Sequence, residues 1–330
     1  MTNARTNEGK GAAQLTAAMV LSGTIGVFVV ESGASSFNVV FFRVLFGALA
    51  LGAYVAARGW FRGHGFTRRS LALTVLAGLF IVGNWILLFE SYGNTSISVA
   101  SVVYHMQPFF VVVFGALLFR ERLTAATLGW VGLAFAGLVL VSGVRPEDVL
   151  SGGGDYLLGI GQALGAAVLY GLATLVVKRV RGVRPHLMAL VQVVVGIPLL
   201  LPFADLGAMS GAGAGAWGWL VALGVLHTGV MYVLMYAAYA ELPTAKIAVL
   251  AFVYPAVAML ADWMVYGHLM GWLQALGLPL IVWASLKVTL RGPAAGRPAA
   301  PAAVAGSAPR TDGRPESAAS RPATPVANEE

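Results

Sequence analysis

Ten apolar runs, each about the length that crosses a bilayer, follow one another along this chain with short polar breaks between them. A helix rises 1.5 Å per residue, so about 20 apolar residues span a hydrocarbon core of ~30 Å. The runs predict membrane helices over 13–31, 36–57, 70–91, 96–119, 124–143, 155–177, 187–204, 216–240, 243–265 and 271–290. The first run also has the form of a signal peptide, with the small residues Ser32-Gly33-Ala34 behind it. Its length and the adjacent Glu31 favour an uncleaved span. The expected fold class is therefore an all-α polytopic membrane protein.

Charge placement sets the topology. Of 330 residues only 11% are charged, less than half the ~25% of soluble proteins, and 58% are hydrophobic. That excludes a cytosolic enzyme, a disordered chain and a fibrous protein. A net charge of +7 suggests nucleic acid until the charges are placed. With the N-terminus inside, Arg5, Lys10, Arg58, Arg62, Arg68, Arg69, Arg120, Arg122, Lys178, Arg179, Arg181, Arg184, Lys287 and Arg291 all fall on the cytoplasmic side. The outer loops keep only Arg145. Short loops rich in Lys and Arg stay in the cytoplasm, so both termini are expected there, in a bacterial inner membrane, and no nucleic-acid partner is implied. Residues 292–330 are rich in Ala, Pro, Gly and Ser and are expected to form a disordered cytoplasmic tail.

The chain repeats itself. Tyr92, Pro108 and Glu121 recur as Tyr239, Pro255 and His268 at a constant offset, and five runs lie in each half. Five is odd, so the second copy enters the membrane from the opposite face. The expected organisation is an N-terminal segment 1–11, one five-helix unit over 12–143, an external linker over 144–154, a second unit over 155–290 and a tail from 291. Inverted repeats of this kind support alternating access.

The stretch Leu87–Leu123, LLFESYGNTSISVASVVYHMQPFFVVVFGALLFRERL, and the LGWVGLAFAGLVLV that follows resemble the fourth and fifth spans of EamA-type members of the drug/metabolite transporter superfamily. Pro108, the Gly115…Glu121 ending and the second copy at Pro255 carry the resemblance, with His268 where the family often has an acidic residue. It implies a ten-helix exporter of small metabolites, amino acids or drugs. Its cavity would be lined mainly by spans 1, 3, 4, 6, 8 and 9.

Polar groups at membrane depth mark the candidate site, because they are costly there and face a cavity or a partner. His105 and His227 lie ~14 and ~16 Å into spans 4 and 8, near the midplane. Each is a candidate for a proton-linked step or a solute contact, or is a neutral histidine bonded between helices. Asn84 is a candidate hydrogen-bonder in span 3. Trp85 beside it either stacks on solute or anchors at the interface. Tyr104 and Gln107 share a face of span 4. Tyr232, Tyr236 and Tyr254 either pack or line the cavity. Pro108 and Pro255 each delete a helix hydrogen bond and are candidate hinges.

The remaining charges read as structural. Arg43 and Glu31 lie near the same membrane face and are expected to pair or to snorkel, and Glu121 belongs to an inner cluster with Arg120 and Arg122. Glu90, Glu241 and Asp262 lie near span ends, and Lys246 snorkels. Asn94-Thr95-Ser96 matches a glycosylation sequon but reads as a turn. Cysteine is absent, as are GK[ST] and HExxH motifs, so no catalytic residue, metal or cofactor is expected. The resulting expectation is a secondary transporter that exports a small organic solute, with protons as a candidate coupling ion. A membrane receptor and an intramembrane lipid-modifying enzyme are the alternatives; the latter would need an acid/base partner for Glu90 or Asp262.

Overall fold

A computed structural model describes residues 2–119, 125–142, 154–242, 247, 250–251, 253–268 and 271–291. Among these, the regular structure is helical throughout. The helices are α1 (Thr2–Glu31), α2 (Ser36–Ala57), α3 (Arg68–Asn94), α4 (Ile97–Tyr104), α5 (Gln107–Phe119), α6 (Ala125–Ser142), α7 (Gly154–Val177), α8 (Pro185–Leu200), α9 (Leu206–Ser210), α10 (Ala214–Gly224), α11 (Met231–Glu241), α12 (Val253–Tyr266) and α13 (Trp272–Arg291). Seven segments are long and apolar enough to cross a membrane, and Val253–Tyr266 and Ala275–Ala284 are shorter apolar helices. Residues 144–153 of the expected linker over 144–154, residues 292–330 of the tail, Lys246, and Glu121 with its cluster lie outside the described residues.

Starts are set by side-chain caps. Ser35 accepts from the Asn38 amide, Ser96 from the Val99 amide, and Thr67 and Ser70 form a reciprocal capping box. Asn94-Thr95-Ser96 is a turn between two helices, as expected.

The two halves interleave. Helix α1 packs on α11 and α12, and α7 packs in the same way on α3, α4 and α5. Helix α2 pairs with α8, and α6 with α13. The outside of the bundle is apolar, with Leu49, Leu117, Phe135, Met264, Trp272 and Trp283 all more than half exposed. The polar side chains Arg43, Asn84, His105, His227, Thr228 and Asp262 are buried. This inside-out distribution is that of a protein solvated by lipid.

Three expected spans are not continuous α-helices among the described residues. The span over 96–119 breaks at His105–Met106, between α4 and α5. Pro108 has no N–H for the Tyr104 carbonyl, and its ring clashes there. The chain therefore tightens, with the Met106 amide on Val103 and the Phe109 amide on Met106. Pro108 then sits in the first turn of α5, where a missing N–H costs nothing. Pro255 repeats the arrangement in the first turn of α12, behind the turn at Ala251. The prolines restart helices and do not bend continuous ones. The span over 216–240 carries a π-helical segment, Val225–Val230, between α10 and α11.

Close helix contact fixes this segment against α2. A Cβ on Gly47 would stand 2.6 Å from Thr228 Cγ2, and one on Gly229 would stand 2.7 Å from Ala50 Cβ. Asp262 reaches from α12 to cap α4, accepting from the Ser98 amide at 3.0 Å while His268 Nδ1 holds its other oxygen at 3.1 Å. Asp262 is thus fully buried, against the expectation of a solvated end charge. Its partners come from a neighbouring helix and from the loop behind it, and neither adjoins it in sequence.

Gly47→Ala is expected to lower thermal stability in detergent by about 1–3 kcal/mol through overpacking. Gly52→Ala is the control, because its Cβ would meet only Leu190 Cδ1 at 3.9 Å. Asp262→Ala removes the cap of α4 and is expected to cost about 1–2 kcal/mol, with Asp262→Asn closer to wild type. Unchanged melting of Asp262→Ala would show that α4 is held by packing alone.

Candidate functional site

The π-segment supplies the first element of the site. A π-turn shifts hydrogen bonding from i−4 to i−5, so the Met231 amide bonds to the Leu226 carbonyl. The His227 carbonyl loses its helical donor. It accepts instead from Arg43 Nη2 on α2 at 3.3 Å, while Arg43 Nε donates to Thr228 Oγ1 at 3.1 Å. Arg43 is 1% exposed, and its guanidinium lies 4.3 Å from the centre of the Trp85 ring and 5.6 Å from that of Phe89. Its Nη1 is buried without a hydrogen-bond partner.

This corrects the expected Arg43–Glu31 pair. Glu31 is exposed and accepts from the Tyr266 hydroxyl at 3.0 Å. Trp85 is also buried, so it carries the Arg43 cation on its face and is no interfacial anchor.

His227 is the second element. Its Nε2 lies 3.0 Å from Thr24 Oγ1 on α1, and its Nδ1 lies 3.4 Å from the Ala222 carbonyl. Phe28 packs edge-on against the ring. His227 therefore joins α1 to the π-segment, and its carbonyl holds Arg43.

The break between α4 and α5 supplies the third element. His105 caps α4, with Nδ1 3.3 Å from the Ser101 carbonyl and a hydrogen bond to the backbone of Ala251. Its ring stacks on Tyr254 of α12, with centroids 5.0 Å apart and planes at 16°. Pro255 leaves the Ala251 carbonyl without its i+4 donor; the Tyr254 amide donates to it at 3.3 Å and His105 adds a bond from the other half, so one imidazole links the two proline-associated breaks. Next to it, the buried Gln107 Oε1 has no hydrogen-bond partner, and Ser101 Oγ faces the hydroxyls of Tyr92 and Tyr254.

Asn84 lies among α3, α4 and α7. Its Nδ2 donates to the Ala166 carbonyl at 2.7 Å, and its Oδ1 accepts from the Tyr104 hydroxyl at 3.3 Å. Tyr104 meets Tyr170 edge-on. Tyr232 packs on Tyr236, which meets His186, itself against Tyr54 and Trp60.

Apart from Tyr232, which packs in the aromatic cluster with Tyr236, the expected cavity residues fall into two groups. His105, Tyr104, Gln107, Asn84 and Tyr254 gather around the α4–α5 break; Arg43, Trp85 and His227 gather around the π-segment. Each histidine reaches across to the other half of the chain, His105 to Ala251 and Tyr254, and His227 to Thr24. Thr24, Thr228 and Ser101 were missed by sequence reasoning. A threonine or serine inside an apolar run carries no signal of its own. No cluster of metal-ligating side chains occurs among the described residues.

A family model of EamA-like transporters matches residues 9–143 and again 157–290. The chain is 32% identical to the uncharacterized transporter YxxF of Bacillus subtilis over 279 residues, covering 84% of this chain and 88% of that protein. It is 27% identical to an uncharacterized transporter of Archaeoglobus fulgidus over 272 residues, covering 82% and 93%. One solved crystal structure superposes with a TM-score of 0.58 at 19% identity, over 85% of this chain and 96% of that one, a likeness of fold alone. Two matched units, an apolar exterior and a buried polar interior converge on one assignment: the chain is a multi-pass membrane protein of the EamA-like transporter family.

Proposed function

We propose that this protein is a secondary active transporter that exports a small organic solute by alternating access. In this reading the two matched units are five-span bundles of opposite orientation. They make ten spans in a bacterial inner membrane with both termini in the cytoplasm. Solute occupies the centre, between the α4–α5 break and the π-segment, and rocking of one unit against the other exposes it to each side in turn.

The observation that carries this reading is the meeting of the two breaks at His105. Broken helices near mid-span are tolerated where other protein groups or a cavity satisfy the freed backbone. Here the repairs are made between halves, by His105 on Ala251 and by Arg43 on His227. A relative movement of the halves must exchange these bonds, which gives a two-state interface. The interleaved packing of α1 and α7 supports the doubled unit. The direction of transport follows the family resemblance.

Purified protein in proteoliposomes is expected to move an unaltered solute, whereas a chemically altered product would indicate an enzyme and binding without flux a receptor. His105→Ala is expected to lower flux about tenfold, the equivalent of ~1.4 kcal/mol, while insertion into the membrane is unchanged. Flux that is equal across about pH 5–8 in wild type and mutant alike removes histidine protonation from the cycle. The natural sequence has no cysteine, so single cysteines report topology directly. Arg62→Cys is expected to resist an impermeant thiol reagent applied outside the cell, and Arg145→Cys to react. The reverse result defeats the proposed orientation.

A further inference from the structure

We infer that Arg43 is the receptor for the carboxylate of an organic monoanion, which names the solute class of the transport reading above and rests on it. A guanidinium presents five N–H groups in a planar fork. The side edge, Nε with one N–H of Nη2, is committed to Thr228 and the His227 carbonyl. The end-on edge is the second N–H of Nη2 together with Nη1, and Nη1 is buried with no partner. Two parallel N–H groups at that edge match the two oxygens of a carboxylate.

The charge is also unanswered. Among the described residues no salt bridge includes Arg43, and the acid expected to pair with it accepts from Tyr266 instead. A cation sealed from water and lipid headgroups is costly until an anion meets it. The ring faces of Trp85 and Phe89 offset only part of that cost. The other titratable groups in its electrostatic range are the phenols of Tyr92, Tyr104, Tyr232 and Tyr254 and the imidazole of His227. One positive charge among aromatic rings suits an organic monocarboxylate and disfavours a dianionic phosphate. Because Arg43 is covered on all sides, solute reaches it only when the helices around it part.

The alternative is that Arg43 only positions the π-segment. Acid-against-amide discrimination separates the two roles, because a purely structural arginine does not sense the charge of a solute. Thermal stabilisation of the full-length protein in detergent is measured with 3-phenylpropionate against 3-phenylpropanamide, with butyrate against butyramide, and with inorganic phosphate. The acids are expected to stabilise at concentrations about tenfold below their amides, and Arg43→Gln is expected to erase that difference. Should Arg43→Gln fail to insert, Arg43→Lys decides. It keeps the charge but lacks the fork, so acid affinity is expected to drop while amide affinity holds. The inference is overturned if neither acid is preferred in wild type, if the preference survives in Arg43→Gln or is unchanged in Arg43→Lys, or if phosphate alone binds. Flux of neutral solutes without acid preference would leave transport standing and remove the carboxylate. Acid-specific stabilisation without any flux would do the opposite.

Discussion

Inside a bilayer every backbone N–H and C=O needs a partner supplied by the protein, because lipid supplies none. An unbroken α-helix meets that need locally. Among the described residues, the chain gives up the local solution at His105–Met106, at Val225–Val230 and at the turn at Ala251, as well as at Pro198 and Pro279 inside helices. The freed groups are then satisfied partly by tightened local turns and partly from elsewhere in the fold. Arg43 takes the His227 carbonyl, and His105 takes the backbone of Ala251. Asp262 performs the same service at the start of α4, where the first amides of a helix have no intrahelical acceptor.

These repairs bind the halves of the chain to one another. Between helices in lipid there is little hydrophobic driving force, so close packing and interior hydrogen bonds hold the bundle. The approach of α2 to the π-segment depends on Gly47 and Gly229, which lets Thr228 come within reach of Arg43. Packing and polar repair are therefore one arrangement. The low dielectric of the interior strengthens each bond that is made and penalises each group left unpaired, such as Arg43 Nη1 and Gln107 Oε1. Discrete arrangements of such a centre are what the proposed alternating access requires.

Much of the architecture was legible in residue order. Run length marked the helices, whereas the caps at Ser35, Thr67 and Ser96 that set three of their starts came from the structure. Pro108 and Pro255 pointed to disturbed helices, although as bends; their place in the first turn of a new helix depended on how the preceding turn tightened. The depth of His105 and His227 was readable from spacing. Their partners were not, since depth along a span says nothing about rotation around it. The same gap misdirected Arg43. It shares a membrane face with Glu31 in residue order, yet its side chain points toward α3 and the π-segment while Glu31 turns toward Tyr266. The π-segment had no signature, because a one-residue change in hydrogen-bond span leaves the apolar pattern intact.

Sequence alone determined that this is a helical membrane protein of a doubled design, because span length, apolarity and the repeated proline act within single segments or between like segments. Tertiary structure decided which buried polar groups meet. That choice depends on the azimuth of each helix and on which helices are neighbours, quantities set by the packing of the whole bundle. The partner of Arg43 and the bridge made by His105 are therefore properties of the assembled fold.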